Sequence, residues 1–112
     1  MNLILVELNE INFDVVQYYI DKGISLPAME HMIESGLLFT RAESEYDYLE
    51  PWIQWVSVHT GKEYSEHNVF RLGDFVNSKE KQFFEKVEES GFKVGAISPM
   101  NASNKLKKPS YF

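Results

Sequence analysis

Leu3 to Val6 form an unbroken apolar run, checked at Glu7 and resumed at Leu8. A run apolar at consecutive positions predicts a strand buried on both faces, as in a parallel sheet. The period then lengthens. Asn12 stands where a helix cap belongs, Phe13, Val16 and Ile20 follow at helical spacing, and Gly23 supplies a stop. Pro27 to Gly36 predicts a second helix with Met29, Met32 and Ile33 inward, and Leu37 to Thr40 a second strand. An acidic and aromatic loop, Glu43 to Glu50, leads to Pro51. That proline opens a helix with Trp52, Trp55, Val56 and His59 on one stripe and Gly61 past its end. Residues 63–77 read as loop. Ser78 is placed to cap a helix carrying Phe83, Phe84 and Val87, closed by Gly91, and Phe92 to Ile97 predicts a third strand. Strands alternating with helices predict the α/β class, with helices on the faces of a mainly parallel sheet.

Composition narrows the function classes. Of 112 residues, 44% are apolar, and eight Phe, six Tyr and two Trp can fill the core of one small domain. The formal net charge of -6 disfavours a nucleic-acid partner, and the only basic cluster, Lys105, Lys107 and Lys108, reads as a solvated segment. The absence of cysteine excludes disulfides, thiolate metal sites and thiol catalysis. No stretch approaches the roughly 18 apolar residues of a membrane helix, and the short apolar start lacks a basic leader. The expected location is the cytoplasm, with no membrane partner.

Ligands of open parallel sheets bind beyond the carboxyl ends of the strands. That rule directs attention to Glu7, Asn9 and Glu10 after the first expected strand, to residues 43–50 after the second and to residues 98–104 after the third. Glu7 and Asn9 share a strand face by the period of two, and their oxygens suit a hard or borderline cation. Capping of the first helix by Glu10 and Asn12 is the plainer reading of the same residues. His59 belongs to the apolar stripe and reads as a packed histidine, whereas His67 falls in a loop. Phosphate-binding glycine motifs and the nucleophile elbow are absent.

Four segments together resemble the N-terminal part of the alkaline phosphatase superfamily, in its type I phosphodiesterase/nucleotide pyrophosphatase branch. They are Leu5 to Asp14, Leu26-Pro27-Ala28-Met29 through Gly36, Trp55 through Thr60-Gly61 with Glu66-His67-Asn68-Val69, and Gly91 through Gly95 with Ser98 to Ala102. The resemblance implies the first part of a three-layer αβα sandwich, a site for two divalent metals, usually zinc, and hydrolysis or transfer of a small-molecule phosphate or sulfate ester. On that alignment the metal-binding Asp falls on Asn9, with Glu7 and Glu10 beside it. The nucleophile, nine positions before the Thr of Thr-Gly, falls on Pro51, which has no hydroxyl. Glu50 is then the carboxylate left to bind metal or attack.

The expected protein is therefore one partial domain over residues 1–112, the N-terminal piece of a metal-dependent ester hydrolase-like protein, inactive as the isolated chain. The alternative is a degenerate relative that binds a ligand or self-associates through exposed sheet edges without chemistry.

Overall fold

The computed structural model describes residues 2–41 and 43–108. Its regular elements are helical: α1 (Phe13–Asp21), α2 (Pro27–Ser35), α3 (Pro51–Thr60), α4 (Tyr64–His67) and α5 (Phe83–Glu89), with 3-10 turns at Tyr46–Tyr48 and Asp74–Asn77. The chain divides into two compact units, residues 1–41 and 42–112.

Local chemistry explains the helix ends. The Asn12 side-chain oxygen accepts the N–H groups of Asp14 and Val15, at 2.8 and 3.3 Å, and so starts α1. Pro27 and Pro51 open α2 and α3, where a missing N–H costs nothing. Gly61 closes α3 at φ 71°, a left-handed conformation, and its N–H donates to the Ser57 carbonyl. α4 and α5 begin with reciprocal capping boxes, Glu63 with Glu66 and Gln82 with Glu85.

The expected α/β sandwich is corrected. No strand forms among the described residues, and the three apolar runs carry no regular secondary structure. Leu3, Ile4, Leu38 and Ile97 are more than four-fifths exposed. A strand is a pairing and not a local state: without a ladder partner, an apolar run has neither backbone bonds nor a face to bury. The parallel-sheet rule that placed a metal site after the first run loses its premise with it. The helix expected from Ser78 starts later. Ser78 Oγ instead accepts the Glu80 N–H in a local turn, and Gln82 caps α5.

Unit 1 contains no buried residue in either helix, and Met32, expected inward, is exposed. In unit 2, α3 packs against α4 and α5. The buried face of α3 carries Ile53, Val56, His59 and Thr60, one position displaced from the expected Trp52 end of the stripe. Val56, Val69 and Phe75 form the contiguous core, and Phe84 and Leu106 are also buried. Two buried amides tie distant chain to this core. Asn101 joins the start of α3 to residues 71–73, and the Gln82 side-chain oxygen accepts both the N–H and the hydroxyl of Ser103.

Candidate functional site

Two constellations in unit 2 bring chemistry-bearing groups together. The first pairs a serine with a histidine. Thr60 turns its hydroxyl onto the Val56 carbonyl within α3, at 2.7 Å, whereas Ser57 reaches across to α4, its Oγ 3.1 Å from His67 Nε2. His67 is 6% exposed, so it is a packed residue and not the free loop histidine expected. Its Nδ1 accepts the Val69 N–H at 3.0 Å. An imidazole that accepts at Nδ1 carries its proton on Nε2 when neutral, so Nε2–H donates to Ser57. Burial pushes the His67 pKa below its ordinary value, with Lys62 acting the same way and Glu80 and Glu66 opposing. A base for Ser57 would need a bare nitrogen facing the hydroxyl and an acceptor behind it. Both ends of this ring are reversed, and the pair holds α4 onto α3.

The second constellation lies at the head of α3. Tyr46, Asp47, Tyr48, Glu50, Trp52, Tyr64 and Phe70 line a cavity of about 530 Å³. The wall is fixed by its own contacts. Tyr48 and Tyr64 stack at 4.0 Å, and Tyr64 meets Phe70 edge-on at 6.3 Å. The Trp52 indole N–H donates to the Phe70 carbonyl at 3.1 Å, and the Gln54 amide donates to the Tyr48 carbonyl at 2.6 Å. Asp47 and Glu50 are exposed, and no Lys or Arg is among the lining residues.

Glu50, the expected catalytic carboxylate, is thus in this wall, as the residue before α3; its side chain makes no capping bond. Glu7, Asn9 and Glu10 belong to unit 1, in the segment leading to a turn at Asn9 and Glu10, with Glu10 at φ 59°. Among the described residues no three His, Cys, Asp or Glu side chains are placed to hold a metal ion, which corrects the metal-binding expectation. Pro51, the position of the nucleophile on the family alignment, occupies the first turn of α3.

No protein-family model, curated protein or solved structure matches the chain.

The phosphodiesterase resemblance therefore rests on its motif residues alone. Sequence reasoning found Glu50 and the aromatic loop but placed Trp52 on the apolar stripe of α3 and read residues 63–77 as loop. Tyr64 and Phe70 were missed with them. The Glu63-x-x-Glu66 spacing of a capping box was the signal that could have placed Tyr64 on a helix.

Proposed function

We propose that this chain is a non-catalytic ligand-binding module whose site is the cavity at the head of α3. The observation that carries the reading is the composition of the wall: five aromatic side chains, two carboxylates and no cation. Its volume falls within the roughly 300–1,000 Å³ of small-ligand pockets. An anionic phosphate or sulfate ester entering it meets Asp47 and Glu50 with nothing to neutralise its charge, which opposes the hydrolase reading on electrostatic grounds. The chemistry is equally short of parts, with Pro51 at the nucleophile position and Ser57 facing an N–H. The cytoplasmic placement belongs to the same reading, since a chain without cysteine draws no stability from an oxidising compartment.

A small-molecule fragment screen by NMR tests the proposal, with the Trp52 indole N–H as reporter and Trp52→Phe to assign it. The expected result is a set of fragments that shift this resonance, together with no turnover of an aryl phosphodiester, phosphomonoester or sulfate in the presence of zinc. Metal-dependent turnover by the chain overturns the proposal, as does a screen in which no fragment touches the Trp52 signal.

A further inference from the structure

Charge and aromatic surface coincide at this cavity in a way that names a ligand class. Tyr46 is 86% exposed and Phe70 46% exposed, so neither ring is held in the core of unit 2. Both nevertheless line the same concavity as Tyr48, Trp52 and Tyr64. Aromatic faces carry negative potential and attract a cation placed within about 6 Å of a ring centroid. The backbone at Tyr48 and Phe70 is pinned by Gln54 and Trp52, and Tyr64 packs on both the Tyr48 and the Phe70 rings, so this part of the wall is in place before a ligand arrives. Asp47 and Glu50 add a negative field at the same wall, on a chain whose net charge is already -6.

We infer that the cavity takes a methylated ammonium group, the cation of choline and of trimethyllysine. The inference rests on the binding-module reading above and deepens it. Ring faces offer no strong acceptor to an N–H donor, so a primary ammonium regains hydrogen bonds only at Asp47 and Glu50, both exposed to competing water, and the five rings do not make up for the hydration it loses. A trimethylammonium has no N–H to satisfy, spreads its charge over its methyl groups and gains from contact with aromatic carbon. The two carboxylates supply the countercharge without having to form a directional bond.

Titration calorimetry and NMR with choline, its neutral isostere 3,3-dimethylbutan-1-ol, and ethanolamine test the class. Choline is expected to bind with a millimolar or tighter Kd, and the isostere and ethanolamine at least about fivefold more weakly. The variant Asp47→Asn/Glu50→Gln is expected to lose at least about threefold in choline affinity while keeping its melting behaviour, since both side chains are exposed. Equal binding of choline and the isostere overturns the inference and leaves the cavity a ligand site. Tighter binding of ethanolamine also overturns it, by reducing the site to diffuse acidic attraction. Choline that fails to bind overturns it too, and the fragment screen then decides the broader reading separately. A parallel titration with N-acetyl-trimethyllysine amide separates the two sources: tighter binding than choline supports a modified side chain as ligand, and weaker binding supports a free small cation.

Discussion

Asn101 joins three stretches of backbone with one amide. Its Nδ2 donates to the carbonyls of Trp52 and Arg71, at 2.7 and 3.2 Å, and its Oδ1 accepts the Gly73 N–H at 2.9 Å. It does so from φ 49°, a conformation that asparagine tolerates better than most residues. Asn101→Ala is expected to destabilise unit 2 by about 3 kcal/mol, summing lost buried bonds and left-handed strain. Asn101→Gly, which relieves the strain, should recover about 1 kcal/mol of that. Urea midpoints of the two variants check the split. His67 makes a second residue-scale prediction. Its folded-state pKa lies below the ordinary 6.5, so the unfolded chain takes up the proton first as pH falls. The His67 contribution is complete above pH 6.5 and is lost as pH drops through the folded value, because a proton on Nδ1 would face the Val69 N–H. Urea midpoints from pH 7.5 to 5 should fall in the wild type and flatten in His67→Gln. Glu88 titrates in a lower window: the N–H groups of Lys107 and Lys108 hold its pKa below the ordinary 4.5.

Among the elements, α3 organises unit 2, and its end depends on one glycine. A Cβ at Gly61 would meet nothing within 4 Å, so the only cost of a side chain there is conformational. Gly61→Ala is expected to cost about 1–2 kcal/mol and Gly61→Asn less, read from thermal melts. The helices were legible because their signals are local. Asn12, Pro27, Pro51 and Gly61 each act on backbone groups within a turn of themselves. The α5 boundary was misread because Ser78 satisfies a cap pattern, while Gln82 and Glu85 satisfy it better and with buried side chains. The strands could not be read in the same way. Leu3 to Val6, Leu37 to Thr40 and Phe92 to Ile97 state only that these residues avoid water, and the partner that would make them strands is not written in the runs themselves. The site shared this limit. Glu50 and the tyrosines of the loop stand beside α3 in sequence, whereas Phe70 reaches the wall only through tertiary contacts.

Across the whole molecule, burial is uneven. Unit 2 holds the buried core around Val56, Val69 and Phe75, while the helices of unit 1 bury nothing fully. Leu3, Ile4, Leu5, Val6, Leu38 and Phe39 are all more than half exposed, well beyond the scattered apolar surface of ordinary small proteins. We therefore expect concentration-dependent self-association of the chain, carried by unit 1. Sedimentation velocity over a hundredfold concentration range checks this, and a monodisperse monomer throughout would contradict it. Leu38→Lys/Phe39→Lys should shift the equilibrium toward monomer and leave the melting of unit 2 unchanged. Among the described residues no helix is long and apolar enough to cross a membrane.

The exposed run at Leu37 to Phe39 also sets how the molecule would age in the presence of a protease. Exposed backbone outside any helix or ladder enters a protease cleft with little prior unfolding, whereas a bond inside α3 becomes available only when the unit opens. Chymotrypsin should therefore cut early after Leu38 and Phe39, and after Phe92 in the equally unpaired run of unit 2. What outlasts the first cuts would then be the helical segment between these runs, which bears the aromatic cavity.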